Sequence, residues 1–283
     1  MDDNNIPPVL APAGDAAALP PETSTSVARW RWWVHLIVLG MFPLLPLLFS
    51  LLPKQKGEAK LPTEVNGLLL VLGIELALFG VFFVIAWVAS RVNSAQLMLT
   101  WRGGGMPVVW GLVYSIGIRV VLFVIALIAY FAWVLIQSMA TGHTEKISMP
   151  TEGLVDSSAL THGSLYLLIS MTLLSFVLGG FREELWRSAM FAGVKALFPR
   201  QFEKLSGKII AVLIIAVLFG LGHVSQHWTG MVLIGLLGAV LGWIMLRHRS
   251  IWEAVLAHGF FDASTFAMLY LIAKYAPQIL KHQ

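Results

Sequence analysis

Residues 107–139 read PVVWGLVYSIGIRVVLFVIALIAYFAWVLIQSM, an apolar run interrupted by one ionisable side chain, Arg119. A helix needs roughly 20 such residues to cross a hydrocarbon layer about 30 Å thick, and a helix that is apolar on every face has no side to offer to water. The run therefore reads as a membrane-crossing helix. It is longer than one straight crossing requires, so it must tilt, break or extend past the bilayer.

Comparable blocks lie on either side, at Trp32–Leu52, Gly67–Ser90, Ser164–Phe198, Lys208–Trp228, Met231–Leu246 and Ile251–Ala273. The expected fold is an all-α polytopic membrane protein, a bundle of about seven to eight transmembrane helices. The block Ser164–Phe198 is also over-long, and Gly179-Gly180 is its expected break point. Composition agrees: 58% of the residues are hydrophobic and 12% charged, against about a quarter charged in soluble domains.

The net charge of +4 does not point to nucleic acid, because Lys and Arg sit at the ends of apolar blocks and form no basic stripe. With seven crossings, Arg29, Arg31, Arg91, Arg102, Lys195 to Lys208, Arg247 and Arg249 share one side, which favours a cytoplasmic N-terminus. Cysteine is absent, which excludes disulfides, thiolate catalysis and cysteine-ligated metals. The chain divides into a tail at 1–28 that reads as disordered, transmembrane helices over 29–163, and a C-terminal unit over 164–283. The tail lacks the basic and apolar regions of a signal peptide. The loops Pro53–Asn66 and Ala140–Gly163 carry the Pro, Gly, Thr and charges of water-exposed connections.

Ionisable groups at membrane depth are costly, and those that occur usually face the bundle interior. Arg119 is alone in its block and reads as structural. The first two blocks carry little beyond Glu75, and the C-terminal unit holds the rest. Phe181-Arg182-Glu183-Glu184-Leu185-Trp186-Arg187 puts four ionisable groups in two helical turns, with Glu183 and Arg187 one turn apart. Phe219-Gly220-Leu221-Gly222-His223 is followed by His227, on one expected helix face. His258-Gly259-Phe260-Phe261-Asp262 pairs His and Asp at i, i+4. A polar site shared by these C-terminal helices is the economical explanation.

Over about Ser164 to Ala273 the chain resembles the CAAX-protease and bacteriocin-processing family of intramembrane enzymes, which includes the type II CAAX prenyl proteases. The likeness rests on Glu183-Glu184 with Arg187, on Phe219 to His223, and on His258 to Asp262, in that order. Two departures stand out. Only Leu185-Trp186 separates the glutamate pair from Arg187, where the family has three residues, and Asp262 stands where the family has Asn.

The resemblance implies a metal-independent glutamic endopeptidase in an integral, multi-pass membrane setting, such as a bacterial inner membrane. Its catalytic set would be Glu183, Glu184, His223, His258 and Asp262, supported by Arg187 and Phe219. Glu183 is the preferred base, with Glu184 open because of the shortened spacing. His258 could donate to the oxyanion with Asp262 holding it. The partners implied are membrane lipids and a membrane-anchored or transmembrane peptide substrate, with no nucleic acid.

No cofactor is expected. Zinc is the alternative, since the same side chains offer N and O ligands, but His-Glu-x-x-His spacing is absent. The Gly-x-Ser-Gly and Gly-x-Gly-Asp signatures of other intramembrane proteases are absent too. A bacteriocin-immunity or scaffold protein that uses the polar cluster for packing is a non-enzymatic reading, and a proton-coupled transporter is a third.

Overall fold

The computed structural model of the chain describes residues 27–50, 61–101, 103–141 and 157–278. Nearly all of the tail expected over 1–28, and most of the two expected loops, lie outside these residues. The described residues are helical and contain no strand. In a bilayer, irregular backbone has no water to satisfy its N–H and C=O groups, so a spanning chain closes them within helices.

The elements are α1 (Arg29–Met41), α2 (Leu45–Ser50), α3 (Val65–Ser90), α4 (Met106–Thr141), α5 (Ser157–His162) and α6 (Ser164–Ile169). A π-helical segment (Ser170–Arg182) continues α6 into α7 (Glu183–Leu197). Then come α8 (Pro199–Glu203), α9 (Leu205–Leu221), α10 (His227–His248) and α11 (Trp252–Tyr275). Six helical stretches among the described residues are long and apolar enough to cross a membrane, and α9 is a seventh apolar helix of 17 residues. The chain is an integral, multi-pass, all-α membrane protein.

Two expectations change in detail. The chain does not break at Gly179-Gly180; it winds through them as the π-helical segment. Ser175 Oγ donates to the Ser170 carbonyl at 2.7 Å, five residues back, as that wider winding requires. And α9 ends at Leu221, so His223 lies in a turn and His227 opens α10; the two do not share a helix. Gly222 is a poor helix former, and a short 3-10 turn, Val224–Gln226, carries the polar Ser225 and Gln226.

The site is held by close packing of α11 against the π-helical segment on one side and α4 on the other. Lipid supplies no hydrophobic drive for this, so small residues that let backbones approach take that role. A Cβ on Gly180 would stand 2.8 Å from the Val255 carbonyl, and one on Gly259 would enter the Phe176 ring. Arg119 of α4 then bonds α11 directly, donating to the Phe261 carbonyl at 2.6 Å and to Ser264 and Thr265 at 2.7 and 3.0 Å. Its guanidinium lies 4.4 Å from the Phe261 ring centroid. Arg119 is thus a helix-to-helix fastener, as its isolation in sequence suggested.

On the other flank, buried His35 of α1 faces two carbonyls, Ala86 of α3 at 3.1 Å and Ala189 of α7 at 2.9 Å. Trp186 Nε1 donates to the Leu39 carbonyl of α1 at 2.9 Å. The N-terminal helices are therefore bonded to the helix that carries the glutamates.

Candidate active site

Successive helical residues point about 100° apart, so consecutive glutamates at the start of α7 diverge. The His258 ring of α11 sits between them. Glu184 Oε1 is 3.0 Å from His258 Nδ1, while Glu183 Oε2 is 3.8 Å from Nε2. Asp262, one turn further along α11, places Oδ2 3.6 Å from the same Nε2. Three carboxylates from two helices thus surround one imidazole. The direct hydrogen bond runs to Glu184, and Nε2 faces two carboxylates beyond hydrogen-bond distance. Glu184, rather than Asp262, holds the ring.

Their surroundings differ. Glu184 is fully buried and ion-paired with equally buried Arg187. The Glu183 side chain keeps 12% of its exposure and that of Asp262 keeps 29%. An ionised carboxylate only accepts, so the Glu184 bond makes Nδ1 the donor. In a neutral ring Nε2 is then an acceptor, and it donates only as imidazolium.

Phe219 of α9 is the apolar centre of the group. The Arg187 guanidinium lies 4.5 Å from its centroid, Trp186 stacks on it at 6.1 Å, and the rings of His223 and His258 lie 4.9 and 6.4 Å away. Nε and Nη2 of Arg187 find no hydrogen-bond acceptor among the described residues. The ring face and Glu184 carry the compensation for its charge. Room for this comes from α10, where a Cβ on Gly238 or Gly242 would stand 3.3 Å from Arg187 atoms.

His223 is brought to the edge of the group. Its Nδ1 donates to the Phe219 carbonyl at 2.9 Å, which leaves Nε2 as the acceptor of the neutral ring. Among the described residues no hydrogen bond or ion pair joins it to either glutamate; the Phe219 ring is in edge contact with both His223 and His258.

The spacing of Glu183 and Arg187 suggested that these two would pair. Instead Arg187 takes Glu184, at i, i+3, and Glu183 bonds Arg182 at 2.7 Å. Arg182 also reaches Glu75 of α3 at 2.9 Å. Both i+3 and i+4 are neighbours on a helix, so partners outside α7 decide between them. Glu75, the one acidic residue within α3, joins the site through Arg182, a link that its position among the N-terminal helices does not signal. Among the described residues no three His, Asp or Glu side chains gather as a metal would require; the groups form a chain through His258 instead of ringing a common centre.

Residues 165–264 match the family model described as type II CAAX prenyl endopeptidase, Rce1-like. That segment is Rce1-like. It spans the π-helical segment, α7 to α10 and the part of α11 that carries His258 and Asp262, so every residue of the cluster except Glu75 falls inside it. No curated protein and no solved structure matches the chain. The Rce1-like segment accounts for about a third of the chain, and α1, α3 and α4 brace it from outside the match.

Proposed function

We propose that the chain is an intramembrane endopeptidase that hydrolyses membrane-anchored or lipidated peptides with water activated by Glu183. What supports this above all is the His258 ring set between Glu183, Glu184 and Asp262 within an Rce1-like segment. Glu183 is the base on two grounds. It keeps some exposure, so water can reach it, and its Oε2 points to the uncommitted edge of His258. Glu184 is consumed by Arg187 and by the Nδ1 bond, a positioning role.

In the reaction, Glu183 takes a proton from water as the oxygen attacks the peptide carbonyl carbon. His258, as imidazolium fixed through Nδ1, donates from Nε2 to the oxyanion. His223 accepts a hydrogen bond from the attacking water at Nε2, which orients it. Glu183 then returns the proton to the amine nitrogen as the C–N bond breaks, and a carboxylic acid and an amine leave, the acid passing its proton to the amine in water. No step needs a metal. The competing non-enzymatic reading draws on the buried Glu184–Arg187 pair, which also suits a purely structural cluster.

The test uses purified protein in liposomes with a library of membrane-anchored peptides, read by mass spectrometry. Wild type should yield discrete products with or without chelator. Glu183→Gln and His223→Ala should yield none, and His258→Gln should lower kcat about 10²- to 10³-fold. Full turnover by Glu183→Gln rejects the mechanism, chelator sensitivity restores zinc, and no wild-type cleavage leaves the scaffold reading.

A further inference from the structure

Away from this cluster a cavity of about 610 Å³ opens where the start of α1, the end of α3 and the end of α7 meet, and none of the cluster's residues line it. Its walls include Arg29, Trp32, Arg91, Asn93, Gln96 and Leu197.

The polar side chains here are left almost entirely as donors. Guanidinium groups have no acceptor, and among the described residues no carboxylate pairs with Arg29 or Arg91. Asn93 Oδ1 accepts the Gln96 backbone N–H at 2.9 Å, and Gln96 Oε1 accepts that of Asn93 at 3.0 Å. Each carboxamide oxygen already accepts one backbone bond, and the NH₂ groups are the unbonded ends offered to a ligand. The Ser90 hydroxyl donates to the Ala86 carbonyl and accepts the Val92 N–H, and the Leu197 carbonyl accepts from Arg29 at 3.4 Å. A wall rich in donors and poor in free acceptors selects an anion that carries several oxygens.

The place narrows the source. Arg29, Ser90 and Leu197 each end a stretch able to cross a membrane, so the cavity lies where hydrocarbon gives way to water. Trp32 and Leu197 add apolar wall, which a free anion does not use and a lipid does. The same face bears exposed Lys204 and Arg247; the 91–99 connection bonds the α10–α11 turn through Ile251 N and the Met98 carbonyl at 3.0 Å. Basic pockets between transmembrane helices on a positively charged face suit acidic headgroups.

We propose that this cavity binds the phosphate of an anionic phospholipid, with Arg29 and Arg91 as the cationic clamp and the Asn93 and Gln96 amides as added donors. The proposal is independent of any peptidase activity.

Native mass spectrometry of the full chain in detergent tests it, with phosphatidylglycerol and phosphatidylcholine of the same acyl chains and with inorganic phosphate as a third probe. Phosphatidylglycerol should bind at lower concentration than phosphatidylcholine. Arg29→Gln/Arg91→Gln should weaken it about 10- to 30-fold, whereas Lys204→Gln/Arg247→Gln, which removes equal charge from the same face, should not. Arg29→Gln alone, at an exposed helix start, should give a several-fold loss and serves if the double variant does not fold. Equal binding of the two lipids, no effect of the arginine changes, or equal loss in both double variants overturns the site. Displacement of the lipid by equimolar phosphate overturns the lipid source.

Discussion

The Glu184–Arg187 pair shows how much of the site depends on charge compensation within a few ångströms. Both side chains are fully buried, and among the described residues Arg187 has only Glu184 and the Phe219 ring face to offset its charge. Removing one member of a buried pair strands the other, typically at about 3–5 kcal/mol. Arg187→Met should therefore destabilise the protein by about that amount, and adding Glu184→Gln should recover part of the loss. Unfolding titrations in SDS measure both; additive losses would show that the pair is not coupled. The convergence of Glu183, Glu184, His258 and Asp262 was legible in the sequence, but their pairings were not. Glu75 reaches Arg182 across 107 positions and Glu184 reaches His258 across 74, and no helical period encodes such contacts. The same holds for Tyr114 Oη, 2.8 Å from His248 Nε2 across 134 positions.

At the scale of elements, the contact between the π-helical segment and α11 sets the distance between the carboxylates and the imidazole. Gly180 lies against backbone, 2.8 Å from the Val255 carbonyl for an added Cβ, and backbone cannot swing aside. Gly73 of α3 has open space around it. Gly180→Ala should cost about 1–3 kcal/mol by forcing the two helices apart, and Gly73→Ala should be neutral or stabilising by up to about 1 kcal/mol through helix propensity. Equal midpoints for the two variants in SDS would remove the close approach as a determinant of the fold. Sequence blocks marked the helices within a few residues because a bilayer requires length and apolarity, which composition records directly. The π winding through Gly179-Gly180 and the end of α9 at Leu221 were not legible, since each depends on the helix packed opposite.

For the whole molecule the open matter is how often the chain crosses, and α9 decides it. Its 17 residues span about 25 Å at 1.5 Å per residue, a little under the hydrocarbon thickness of about 30 Å. Local thinning of the bilayer accommodates such a mismatch at a fraction of a kcal/mol per ångström. Packing supports a full crossing: α9 pairs with α10 along a close approach in which a Cβ on Gly220 would stand 2.6 Å from the Met231 carbonyl. With α9 crossing, Ser94, Ser206 and Arg249 share one side, and Pro62, Ser225 and Ala276 the other. The excess of basic residues predicts a cytoplasmic location for the first group. The sequence contains no cysteine, so single-cysteine variants at these six positions report without background. A membrane-impermeant maleimide added to intact cells should label Pro62→Cys, Ser225→Cys and Ala276→Cys, and should reach Ser94→Cys, Ser206→Cys and Arg249→Cys only after permeabilisation. Labelling of Ser206→Cys and Ser225→Cys from the same side would make α9 re-entrant. Because α10 and α11 would then follow with inverted direction relative to α7, that result would also contradict the packing that brings His258 to Glu184.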